Sequence, residues 1–80
     1  MSKTLVNAAE GTKVRVIDII AGQGLKNRLM QMGLTPGEVL EVIENSKGPV
    51  IVSVKGVTIA LGRGMASKIL VDDAQGVQQS

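Results

Sequence analysis

The oxygen and sulfur donors of this sequence are the first groups to weigh for chemistry. Asp18, Glu38, Glu41 and Glu44 are hard carboxylate donors spread between positions 18 and 44 of the chain. A site for a divalent transition metal commonly adds imidazole to such carboxylates, and the sequence contains no His, so a weak carboxylate-only site is what remains open. Met30 and Met32 are softer donors, but two residues along a helix separates them by about 160° and gives them no common ligand. Cys is absent along with His, which removes a structural zinc site, a thiol nucleophile and an imidazole base together. The stretch Ala21-Gly22-Gln23-Gly24 has spaced glycines but lacks the Lys and the Ser or Thr of a phosphate loop, and the third Gly of a dinucleotide fingerprint. No catalytic residue, resident metal or cofactor is therefore expected, and the chain reads as a binding protein.

Two kinds of surface could do the binding. Lys13, Arg15, Lys47, Lys55 and Lys68 could contact phosphates, but the formal charge is only +2 and the basic residues form no run. Phe, Tyr and Trp are all missing, so bases would have nothing to stack on and a proline-rich peptide would find no aromatic groove. A small basic barrel that binds nucleic acid, of the ribosome-associated type, is the alternative function. The other surface is a short amphipathic helix, and it needs the surrounding elements to position it.

Eighty residues, 44% hydrophobic and 20% charged, make one globular domain. A chain this short buries only about 60% of its unfolded surface, so the core must be compact. The domain is expected over residues 1–73, with 74–80 a flexible tail. No window approaches the roughly 18 apolar residues of a spanning helix, and the start of the chain lacks a signal-type apolar stretch, so a cytoplasmic location without membrane insertion is expected.

Lys13 to Ile20 begins as a half-buried strand with Val14 and Val16 inward, then changes phase at Ile17, which predicts a bulge or a crossing between sheets. Glu38 to Glu44 reads as a strand because β-branched residues follow Pro36-Gly37. Val50 to Val54 and Val57 to Leu61 flank Lys55-Gly56 and predict a tight hairpin. Gly62 to Ser67 is long enough for one helical turn before a last strand, Lys68 to Val71, and the tail from Asp72 reads as frayed. The sum is a mainly β fold: about five short, mostly antiparallel strands closed into a small barrel, with one short helix after the first strand.

That helix is LKNRLMQMG. Leu25, Leu29 and Met32 lie on one face, Lys26, Asn27 and Gln31 turn away, and Gly33 stands where a left-handed residue ends a helix. Met30 falls outside the apolar face and suits either an adaptable contact surface or a flank of the core. Arg28 could clamp a partner carboxylate or cap backbone carbonyls of its own barrel. Leu34 could sit under the helix cap or protrude beside Pro36 as an apolar knob. Lys26, Arg28, Met30, Gln31 and Leu34 are accordingly the candidate partner-binding residues, whereas Gly33, Pro36 and Gly37 have backbone reasons to be where they are.

These residues carry a resemblance. Arg28-Leu29, Gly33-Leu34 and Pro36-Gly37 are similar to the RL-x-x-x-G-L-x-P-G signature of the ferrous iron transport protein A (FeoA) family. Gly48-Pro49-Val50, Ile59-Ala60-Leu61, Ala66 and Ile69-Leu70-Val71 are similar to its later elements in the same order, so the likeness spans Leu5 to Val71. The resemblance implies a small SH3-like β-barrel in the cytoplasm, an accessory protein and not an enzyme. Its implied partner is a membrane ferrous iron transporter that carries its own cytoplasmic GTP-binding domain. The same domain resembles the C-terminal module of some iron-dependent repressors, but no helix-turn-helix portion is present here. An exposed strand edge on such a barrel also leaves pairing with a second copy open.

Overall fold

The computed structural model describes residues 2–74. Its elements in chain order are β1 (Lys3–Thr4), a 3-10 turn at Leu5–Asn7, β2 (Lys13–Ile19), α1 (Gln23–Gln31), β3 (Val39–Glu44), β4 (Val50–Val54), β5 (Val57–Leu61), α2 (Arg63–Ala66) and β6 (Ile69–Asp73). All strand pairs are antiparallel, in one six-stranded sheet of order β1-β6-β2-β3-β4-β5. The architecture is the mainly β, antiparallel fold expected, with the helix after the first long strand.

The phase change in the second strand is a bulge: the β2–β6 register shifts between Val16 and Asp18, leaving Ile17 exposed while Val14, Val16 and Ile19 stay in the core. A second shift, between Val42 and Glu44, breaks the alternation of β3 so that Glu44 as well as Ile43 is exposed. Bulges of this kind sharpen the bend of a strand, and they let a single sheet wrap around aliphatic side chains. No buried polar or charged residue occurs among the described residues.

Two expectations need correction. About five strands are expected and the described residues form six: the additional one, β1, pairs with β6, and Leu5 and Ala8 just after it belong to the core. The tail is not frayed from Asp72 or loose at Ala74. Asp72 and Asp73 continue β6 opposite Arg15 and Val14, and the buried Ala74 donates its amide to the Lys13 carbonyl at 3.0 Å. The rest of the predicted tail, 75–80, lies outside the described residues.

One end of the barrel is closed by a polar clasp. The Asn45 side-chain amide donates to the Val6 and Ala8 carbonyls at 2.9 and 2.7 Å, and its backbone amide donates to Glu10 Oε2 at 2.7 Å. Arg63, at the start of α2, donates to Asn45 Oδ1 at 2.9 Å and to the Gly48 carbonyl at 3.2 Å. Thus the β3–β4 loop ties the 3-10 turn to α2 across the end of the sheet.

Candidate functional site

At the other end of the barrel, the helix stop and a hairpin face one another. Gly33 has φ of +97°, its amide donates to the Met30 carbonyl at 3.0 Å, and the Leu34 amide donates to the Leu29 carbonyl at 3.0 Å. This pair of bonds is a Schellman cap, in which the residue after the glycine contacts the one five positions back. Leu34 and Leu29 are both 0% exposed. Leu34 is therefore core, and its place on a surface patch is corrected: the cap geometry folds its side chain inward under the helix.

After the cap, the Glu38 amide donates to the Thr35 carbonyl at 3.0 Å around Pro36-Gly37, with Gly37 at φ +95°. This is a type II turn, with Pro and Gly in the positions such a turn favours. It delivers Glu38 to the β4–β5 hairpin, whose turn residues Lys55 and Gly56 have φ of +53° and +80°. Positive φ at both central residues is the type I′ geometry that matches strand twist. Lys55 Nζ then lies 3.2 Å from Glu38 Oε2, a pair of an exposed lysine and a half-buried carboxylate that joins the two turns.

Between them runs a groove of about 510 Å³, lined by Gln31, Met32 and Gly33 on the helix side and by Val54, Lys55, Val57 and Ile59 on the hairpin side. Its surface is largely aliphatic and thioether, with an amide and an ammonium at the rim. It offers no nucleophile or base. What it can do is bury apolar groups of a partner while the rim orients them.

The five candidate residues are not brought together. Around α1, at about 100° per residue, Lys26 and Met30 share one flank while Arg28 and Gln31 lie toward the other. Met30 is 36% exposed, and Lys26, beside it, reaches Asp18 at 3.7 Å. Gln31 lines the groove. Arg28 is exposed and its guanidinium makes no hydrogen bond or ion pair among the described residues, so it does not cap the barrel's carbonyls.

Sequence reasoning missed the hairpin wall, because Val57 and Ile59 read only as alternating strand residues. Their one signal was that Val57 follows a tight turn at the open end of a strand. The carboxylates are dispersed: Asp18 accepts from the Ile19 amide, Glu38 pairs with Lys55, and no three potential metal ligands cluster among the described residues. Of the basic residues, Lys13 lies opposite Glu41, Arg15 opposite Asp72, and Lys55 beside Glu38, which breaks up any phosphate-binding stripe.

The FeoA domain profile matches residues 3–73, nearly the full length. The chain belongs to the FeoA family. A protein of Methanocaldococcus jannaschii, provisionally named Fe(2+) transport protein A, is 52% identical over 71 residues, covering 89% of this chain and 87% of that one. A crystal structure described as an iron uptake regulatory protein (FeoA) is 40% identical, with a TM-score of 0.83, covering 90% of this chain and 96% of the other.

The FeoA of Stenotrophomonas maltophilia, described as a procaryotic SH3 domain protein and solved with zinc, has a TM-score of 0.76 at 24% identity, covering 86% of this chain and 88% of that one. A manganese-dependent transcriptional repressor has a TM-score of 0.81 at 22% identity, covering 89% of this chain but only 40% of its own. These last two speak to the fold alone. Membership makes the chain a non-catalytic accessory protein of ferrous iron transport. No helix among the described residues is long and apolar enough to cross a membrane.

Proposed function

We propose that this FeoA domain is a protein-binding module that docks on the cytoplasmic part of the membrane ferrous iron transporter and biases its GTP-dependent state. The contact is made by α1 and the groove at its C-terminal end. Lys26 and Met30 lie on one flank, and Arg28 and Gln31 on the other. The observation that carries this reading is the groove itself, an apolar cleft beside an exposed helix in a family whose work is accessory to transport. A module that bound both states of its partner equally would shift nothing, so the contact must discriminate between them.

The test is retention of the purified transporter, as its cytoplasmic domain and at full length, on this protein with GTP, GDP or no nucleotide. Nucleotide-dependent retention of the cytoplasmic domain is expected, and it should be reduced by the Lys26→Ala/Met30→Ala pair in a variant that still folds. Retention of neither form would overturn the proposal.

A further inference from the structure

The sheet has two free edges, and they are built differently. β1 is two residues long, and Lys3 crosses to Asp73 at 2.8 Å. Short, charged edges of this kind resist pairing with other chains. β5 is five residues long, VTIAL, with no charge, no proline and no register shift against β4.

The direction of its free groups follows from the hairpin. A two-residue turn closes with a hydrogen bond from the Val57 amide to the Val54 carbonyl, and antiparallel pairing then alternates. Val57, Ile59 and Leu61 therefore direct their backbone groups to β4, while Thr58 and Ala60 direct theirs away from the sheet. Thr58 and Ala60 are exposed and make no other hydrogen bond among the described residues. Val57, 58% exposed, and the half-buried Ile59 lie on the same strand and also line the groove.

We propose that β5 is a receptor edge for an extended segment of a partner protein, which adds as a seventh strand, places apolar side chains at alternate positions over the groove and carries carboxylates at its ends. The inference deepens the docking reading above and rests on it for the source of the segment, the transporter's cytoplasmic part. Backbone groups of Thr58 and Ala60 supply the pairing, and Val57, Ile59 and Met32 supply the apolar cover.

Charge at the strand ends selects the occupant. Lys55 precedes β5 and remains 65% exposed beside Glu38. Arg63 follows β5, and its guanidinium donates to the neutral oxygens of Asn45 and Gly48. Carboxylates at the ends of an added strand would complement both cations. A second copy would not. The antiparallel register that overlaps all of β5 sets Thr58 opposite Ala60 of the other copy and brings the Lys55 turn of each copy to the end of β5 that Arg63 follows in the other, twice by symmetry. Like charges gathered at both ends oppose pairing.

Two probes separate this inference from the docking reading. The first is the capped octapeptide DTVTVTVD beside its basic counterpart KTVTVTVK, titrated against the intact protein while amide exchange is followed by NMR. The acidic peptide should slow exchange at Thr58 and Ala60, leave the already paired Val57 and Ile59 amides unchanged, and bind more tightly than the basic one. Equal binding of the two, or no slowing at Thr58 and Ala60, would overturn the receptor edge.

The second probe is the transporter's cytoplasmic domain against the native protein and against Thr58→Pro and Ala60→Pro. Proline at these positions removes an outward amide and keeps the β4 pairing. Binding should fall by at least about fivefold in each variant. Undiminished binding by folded variants would sink the edge and leave docking intact. Acidic-peptide binding without transporter binding would sink docking and keep the edge. A dimer in solution with protected Thr58 and Ala60 amides would replace the partner with a second copy and overturn the occupant proposed.

Discussion

The two ends of this barrel are held by different means. At one, Asn45 and Arg63 link the 3-10 turn, the β3–β4 loop and α2 through hydrogen bonds that span up to 39 residues of sequence. At the other, the turn after the helix stop and the β4–β5 hairpin are joined by the Lys55–Glu38 ion pair, and the helix stop and the hairpin leave an apolar groove between them. Stability and contact are thereby assigned to opposite ends. The fastened end turns the Asn45 amide and one guanidinium nitrogen of Arg63 to internal oxygens, whereas the open end keeps apolar surface in reserve.

The largest effect should come from cutting the clasp. Asn45→Ala leaves the Val6 and Ala8 carbonyls and part of the Arg63 guanidinium without partners in a partly buried place, and it should cost about 2–3 kcal/mol in urea unfolding. Transporter retention should survive wherever the variant is folded. A loss of retention without a loss of stability would erase the division between the two ends.

A smaller change tests the open end. Gly33→Ala meets nothing closer than Val54 Cγ1 at 3.7 Å, but it forces a Cβ into the left-handed region at φ +97°. About 1–2 kcal/mol of destabilisation is expected from the backbone alone. Because Gly33 lines the groove, transporter affinity should fall as well, which distinguishes it from Asn45→Ala.

The smallest effect belongs to the β1 edge. The carboxyl of Asp73 is held below its ordinary value of 3.8, first by its hydrogen bond from Lys3 and then by the charge of that lysine. A depressed folded-state pKa contributes stability above the unfolded value, and that contribution disappears as pH falls through the folded one. Thermal unfolding of Lys3→Met should therefore lie slightly below the native protein at pH 7, with the difference closing in acid below pH 3.8. A gap that widened in acid would show that Lys3 acts through something other than Asp73.

How much of this was readable in advance depended on sequence separation. The helix, its glycine stop, the Pro36-Gly37 turn and the Lys55-Gly56 hairpin are local devices, each written within a few adjacent residues, and each stands in the structure as its residue types demand. β1 escaped because two residues show no periodicity, and its partner Val71 is far along the chain. The same distance hid the clasp: Asn45 looks like any turn residue until Val6, Ala8 and Arg63 are brought to it.

The binding site was half readable. Helical spacing exposed Met30, Arg28 and Gln31, but it could not say that Gln31 alone of the candidates would line a groove. Leu34 was misjudged between two stated readings, and the Schellman hydrogen bonds decide it for the core.

The pairing of Lys3 with Val71 brings the entry and exit of the barrel together. A fold that the chain enters and leaves at one point can be spliced into a longer polypeptide without stretching its host, like a bead threaded through a single hole. It can also be reopened elsewhere. Joining residues 2 and 74 through a short linker and starting the chain afresh in the exposed loop 46–48 would permute the order of the strands and keep every neighbour in the sheet.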